Sequence, residues 1–230
     1  MAPAPARAHP GSGIAVDAQG CLHFVDTGEG VFRLDPQGKL ALIHRLTYHW
    51  MAFDEKGSFA HSQALGDWDN GSFERITPPG AVPALILSSD YPVVVGHDGG
   101  LYYVPFNETG TRELIRRMPD GRRSVFATLP KDTGPKPMRW VNGIAVAGDG
   151  ALYIADNDAI RKVDRRGAVS TFRDAIQAPD CADPLPDAPK LPYLRGLAVA
   201  RDGETMYAAA NGCRTVIANR FRTALVVVRP

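Results

Sequence analysis

Ser12–Asp26 (SGIAVDAQGCLHFVD) and Asn142–Asp156 (NGIAVAGDGALYIAD) are one phrase written twice, and RGLAVARDGETMYAA, starting at Arg195, is a third copy. Self-similarity at a fixed spacing decides the fold class ahead of any single motif. The unit has a plain physical content. Gly-Ile-Ala-Val is a short apolar strand. Gln-Gly or Asp-Gly is a tight turn in which glycine takes backbone angles that other residues resist. Leu-x-Tyr-Ile-Ala-Asp is a second strand that ends in a polar loop.

A second glycine turn follows four of the five pairs, and the last unit, ending in TVIANRFRTALVVVRP, lacks it. Arg33–Gly38 leads into Lys39–Ile43, Arg75–Gly80 into Ala81–Leu87, Arg116–Gly121 into Arg122–Leu129, and Lys162–Gly167 into Ala168–Phe172. Each marks a hairpin between a third and a fourth strand. Weaker copies of the first-strand phrase lie at His49–Gly57 and Tyr91–Gly99. The units therefore start at Ser12, His49, Tyr91, Asn142 and Arg195, spaced 37 to 53 residues apart. Four strands at that spacing form the blade of a β-propeller. The expected fold is all-β: a single propeller domain over residues 12–230 with about five four-stranded blades, behind a disordered Pro/Ala-rich leader at residues 1–11.

Composition agrees. The chain carries 23 Gly and 19 Pro in 230 residues, and no stretch sustains a helical apolar period. No apolar run approaches the roughly 18 residues of a membrane span, and the leader has no apolar signal-peptide core. With 26 Lys and Arg against 25 Asp and Glu, the net charge is +1 and no basic stripe is present, which argues against a nucleic-acid partner. No Gly-x-Ser-x-Gly elbow, His-Glu-x-x-His pair or phosphate-cradling loop is found.

The phrases GIAVDAQGCLHFVDTGEGVFRLDPQG and NGIAVAGDGALYIADNDAIRKVDRRGAVSTF resemble NHL repeats and the related blades of the senescence-marker-protein/gluconolactonase superfamily. The resemblance is clear in the first, fourth and fifth units. It is specific for fold and poorly specific for function. It implies six blades, so a sixth is missing here. An incomplete ring would stay open, expose the apolar flanks of two blades and self-associate.

Blade topology places the starts of the first strands and the ends of the second strands on one face of the disk. Ser12, His49, Tyr91, Asn142 and Arg195 line it from the starts, and Asp26, Gln63, Pro105, Asp156 and Ala210 from the ends. A concave channel mouth is the default binding location. The expected ligand site is thus His49, Tyr91, Asn142, Arg195 and Asp156, taking a small molecule or peptide, with an aromatic rim from Trp50, Trp68 and Trp140 as an option. For Asp26 and Asp156 the plainer reading is a turn aspartate bonding its own loop.

The resemblance also implies an alternative, a lactonase with a divalent metal such as calcium. Its family ligands fall on Ser12 (a Glu in the family), Asn142 (the ligand Asn), Arg195 (an Asp that is ligand and base) and near Tyr91 (an Asn), so only Asn142 matches. Calcium needs six or more oxygen ligands, and a guanidinium cannot act as a base. The leading expectation is a binding or scaffold propeller with no cofactor, and the runner-up is a metal-dependent hydrolase with an altered ligand set. Cys21 sits at a turn and reads as a packed small residue. Cys181 and Cys213 fall in loops of the same face, within plausible bridging reach, and a disulfide there points to a periplasmic or secreted protein.

Overall fold

The computed structural model describes residues 10–26, 29–45, 48–59, 65–69, 71–75, 83–105, 112–130, 141–156, 159–173, 194–199, 206–210 and 224–228. It is all-β. The first sheet holds β1 (Pro10–Val16), β2 (Leu22–Asp26), β3 (Gly30–Leu34) and β4 (Leu40–His44), in that order. β1 begins at Pro10, which pairs with Asp26, so the sheet starts inside the stretch expected to be leader. The second sheet holds β5 (Trp50–Asp54), β6 (Asp67–Trp68), β7 (Gly71–Arg75) and β8 (Ala84–Ser88). The third holds β9 (Val93–Val95), β10 (Leu101–Tyr103), β11 (Arg112–Arg117) and β12 (Arg123–Leu129). The fourth holds β13 (Gly143–Val146), β14 (Leu152–Asp156), β15 (Ala159–Val163) and β16 (Val169–Arg173). In the fifth, β17 (Leu194–Val199), β18 (Met206–Ala210) and β19 (Ala224–Val228) pair in sequence.

Three four-stranded sheets are simple meanders, and the second is not. Its order is β5-β8-β7-β6, so the strand expected on the outer edge, Ala81–Leu87, instead supplies β8 beside the innermost strand. Burial explains the exchange. Every residue of β8 is buried, as in the second strands β10 and β14, whereas the outer strands β4, β12 and β16 are half-buried or exposed along most of their length. An Ala-Leu-Ile-Leu-Ser run suits a position covered on both faces and would leave apolar surface bare at an edge. In the fifth sheet β19 is the third strand, and the strand expected at Thr215–Ala218 lies outside the described residues.

The five innermost strands form a circle. β5 packs between β1 and β9, β13 between β9 and β17, and β17 returns to β1. The open arc expected from a missing sixth blade is therefore not what the described residues form, and the edge invoked for self-association is covered. Small residues let the innermost strands approach closely. A Cβ on Gly13 would meet Met51 N and Trp50 Cα at 2.9 Å, and one on Gly143 would meet Leu197 N at 2.7 Å and Gly196 Cα at 2.8 Å. Between blades the cores are apolar. Ile144, Ile154 and Val163 of the fourth blade pack with Val94, Tyr102 and Leu114 of the third.

Candidate functional site

The strand-start face is built mainly for structure. Tyr91 is buried beside Phe73 and Tyr103, and its hydroxyl donates to the Asp69 carbonyl. Tyr103 donates to the Asp69 carboxylate, which also pairs with Arg123 Nε at 3.0 Å. Burial, then the bond to Asp69, pushes the Tyr103 hydroxyl well above its ordinary value. This network ties the short outer hairpin of the second blade to the third. Asp156, expected at a ligand site, forms a buried ion pair: Arg112 Nη2 donates to its Oδ1 at 2.6 Å and Arg161 Nε to its Oδ2 at 3.1 Å. Arg112 belongs to the third blade and Asp156 to the fourth, so the pair crosses a seam and does not serve the loop of Asp156.

His49 is half-buried and donates from Nδ1 to the Ser89 carbonyl at 2.8 Å, with its ring edge-on to Trp50. Trp50 Nε1 donates to the Asn142 carbonyl at 3.3 Å, reaching from the second blade to the fourth across the axis. Asn142 is buried, and its Nδ2 has no hydrogen-bond partner among the described residues. The structure thus brings His49, Trp50 and Asn142 together at this end of the channel, while Tyr91 and Asp156 turn into the protein. Arg195 lies in β17 with its backbone placed, and its side chain is outside the described residues, as are those of Ser12 and Trp68. Gln63, Trp140, Cys181 and Cys213 lie outside them entirely, so the disulfide expectation falls there. Cys21 is a buried free thiol.

The described residues do not fit a calcium site at Asn142. The carboxylate on the same face in its own blade, Asp156, is committed to two arginines, and no three His, Cys, Asp or Glu side chains gather to hold an ion among the described residues.

The cavity lies along the channel and reaches the opposite face, at the turns that follow the innermost strands. It encloses about 290 Å3. Its walls come from the innermost strands, with Ile14, Met51, Val93, Ile144 and Leu197 among them. Its rim is formed by hairpin residues Asp17, Ala18, Glu55, Lys56, His97 and Gly148. None of the four expected ligand-site residues whose side chains are described, His49, Tyr91, Asn142 and Asp156, lines it.

The hairpins are built in two ways. All four described turns that follow an innermost strand, three of them hairpins and the second blade's leading instead toward its outer strands, place a glycine at positive φ in the fourth position: Gly20, Gly57, Gly99 and Gly150. In the third and fourth blades the third-position aspartate satisfies the turn, with Asp98 Oδ1 accepting from Gly100 N and Asp149 Oδ1 from Ala151 N. In the first and second blades the aspartate stands at the first position. Asp17 Oδ1 accepts from the N–H groups of Gln19 and Cys21, and Asp54 accepts from Ser58 and Phe59. Each arrangement satisfies backbone donors. Only the first puts the aspartate on the channel, for Asp17 and Asp54 line the cavity while Asp98 and Asp149 do not.

Asp17 also holds His23, whose Nε2 lies 2.9 Å from Asp17 Oδ2. Burial raises the Asp17 carboxyl, but the His23 bond, the Cys21 N–H and the His23 charge outweigh it and hold Asp17 below the ordinary carboxylate value. Burial lowers His23, against the opposing pull of Asp17, and its Nδ1 is buried without a partner among the described residues. Arg33 Nη2 donates to Cys21 Sγ at 2.8 Å, and burial, then the Asp17 charge, raises the thiol. Sequence reasoning missed this rim. The signal was present in the shift of Asp between hairpin positions from blade to blade.

No protein-family model matches the chain, and no curated protein does. Among solved structures it is similar to a structural-genomics protein of unknown function from Bacteroides thetaiotaomicron, at 18% identity over 85% of this chain and 43% of that one, TM-score 0.38. It is similar to a catalytically inactive virginiamycin B lyase from Staphylococcus aureus with quinupristin, at 16% identity over 91% and 65%, TM-score 0.42. A candidate gluconolactonase gives 17% identity over 99% and 83%, TM-score 0.45. The chain spans less than two thirds of the length of the first two. It is a β-propeller by its own sheets, which circle one axis with their innermost strands side by side.

Proposed function

We propose that the chain is a binding propeller that takes a small, largely apolar ligand into its central channel from the hairpin face. The observation that supports this reading is the channel of about 290 Å3. Apolar strands wall it, polar hairpin residues rim it, and the Trp50–Asn142 bond crosses the axis at the opposite end. A mostly apolar concavity with a few placed polar groups is what small-ligand sites share. The volume suits a single small molecule better than a folded segment of another protein. The strand-start mouth is the weaker candidate, because Tyr91 and Asp156 are spent on internal contacts.

The test is calorimetric titration with octan-1-ol, paired with thermal melting, on the wild type and on Ala15→Phe. Ala15 lines the channel, and a phenyl group there would fill it. Octan-1-ol should bind the wild type and raise its melting temperature, since a ligand of the native state stabilises it. The folded variant should give neither effect. Absence of heat and of any melting shift in the wild type across linear alcohols of four to ten carbons (an order-of-size series chosen for a cavity of this class) would refute the reading.

A further inference from the structure

The innermost strands turn a polar edge to the channel. The ladders of the first, third and fourth blades each begin at a backbone bond beside the turn. Asp17 N donates to the Cys21 carbonyl at 3.0 Å, Gly96 N to the Gly100 carbonyl at 2.8 Å, and Ala147 N to the Ala151 carbonyl at 2.9 Å. In an antiparallel ladder, pairs that exchange both bonds alternate with pairs that exchange none. Counting back from those bonds, Ala15, Val94 and Ala145 bond to the second strands, opposite His23, Tyr102 and Tyr153. The N–H and C=O groups of Ile14, Val16, Val93, Val95, Ile144 and Val146 therefore point away from their own sheets. β1, β9 and β13 each end a sheet, and all six residues line the channel.

Their side chains are spent elsewhere. Ile14, Val93, Val95 and Ile144 are buried, with Val93 in an apolar core beside Tyr103 and Ile144 in another beside Val94. What these residues present to the axis is main chain, on two levels roughly 7 Å apart along the strands. A backbone N–H or C=O turned from water needs a partner. Among the described residues, the one backbone bond that leaves an innermost strand for the next blade runs from Gly13 N to the His49 carbonyl at 2.6 Å, at the strand-start end. None reaches the six.

We propose, resting on the channel-binding reading above, that the ligand is a small secondary amide with a short apolar body. In a trans amide the C=O and the N–H point in opposite directions. One amide group thus accepts from a wall N–H on one side of the axis and donates to a wall C=O on the other, as a strand inside a sheet does with its two neighbours. The channel of about 290 Å3 holds one such group and a few carbons.

The experiment compares N-methylhexanamide with methyl hexanoate, in which an oxygen replaces the N–H, and with octan-1-ol, by calorimetric titration of the full chain at neutral pH. The ester is more apolar than the amide, so a purely apolar wall favours the ester. The amide should instead bind about three- to tenfold tighter, the scale of one neutral hydrogen bond. Residue-resolved hydrogen exchange of the free chain should find the amides of the six wall residues exchanging faster than those of Ala15, Val94 and Ala145, and N-methylhexanamide should slow them. If the ester binds as tightly as the amide, or if the six amides are already as protected as their neighbours, the amide reading is overturned, and the channel reading stands on the binding of octan-1-ol or the ester. If none of the three probes binds, both fall.

Discussion

Replacing Asp156 by Asn tests whether this residue is a seam clamp or a ligand group. Its partner Arg112 has a side chain 5% exposed, and its guanidinium has three satisfied contacts: two to Asp156, at 2.6 and 3.5 Å, and one to the Pro130 carbonyl at 3.0 Å. Arg112 Nε is already unpartnered among the described residues. With asparagine in its place, the guanidinium stays buried between the third and fourth blades without a countercharge, facing the Pro130 carbonyl and a neutral amide. Breaking a buried pair from one side costs about 3–5 kcal/mol. Arg161 is 27% exposed and can turn to water, so its share is under about 1 kcal/mol. At about 2–4 °C per kcal/mol for a chain of this size, the melting temperature should fall by about 6–20 °C. Urea unfolding followed by far-ultraviolet circular dichroism gives the free energy directly. The double variant Arg112→Met with Asp156→Leu removes both charges and should recover at least half of the loss. A single variant within about 1 kcal/mol of wild type would refute the clamp, and a ligand-binding defect without loss of stability would restore the role expected from sequence.

Two further outcomes follow from the geometry. Gly143→Ala should destabilise by about 1–3 kcal/mol, because its Cβ would press on Leu197 N and Gly196 Cα, backbone atoms that cannot turn aside; a neutral result in urea unfolding would mean that the fourth and fifth blades do not meet there. Stability should also fall with acid in two stages. His23 is held below its ordinary 6.5, so the unfolded chain binds the extra proton first and stability declines as pH drops through 6.5. Asp17, held below 3.8, adds a second loss as pH drops past 3.8. Melting curves between pH 7 and 5 should be steeper in pH for wild type than for His23→Gln, and equal slopes would exclude His23 as the source.

Strand positions were legible wherever a blade keeps both the apolar alternation and its glycine turn. The fourth blade follows that phrase closely, from Gly143–Val146 through Val169–Arg173. The second blade was misread because hairpin signals report which strands are neighbours and say little about which one lies innermost. The uniform apolarity of Ala84–Ser88 carried that information. Closure was misread because blade number depends on how closely innermost strands approach, and the Gly13 and Gly143 contacts that permit it lie between units far apart in sequence. The strand-start mouth was legible only as positions on a ring, and the rim on the opposite face was missed. Repeat geometry put His49 and Asn142 at one end of the channel, but Tyr91 and Asp156 are drawn inward by Asp69 and Arg112, partners whose proximity only the folded ring creates.

The two hairpin designs separate a blade's shape from the electrical character it lends to the axis. Because an aspartate at the first or the third position can hold the same turn, moving it between them rewrites the charge at the mouth without asking the strands to rearrange. Each blade then acts as a switchable letter in a short word spelled around the rim, with Asp17 and Asp54 set one way and Gly96 and Ala147 the other. Exchanging Ala147 for Asp while neutralising Asp149 would add a third such letter, so a ring of this kind offers a way to tune what its channel admits one blade at a time.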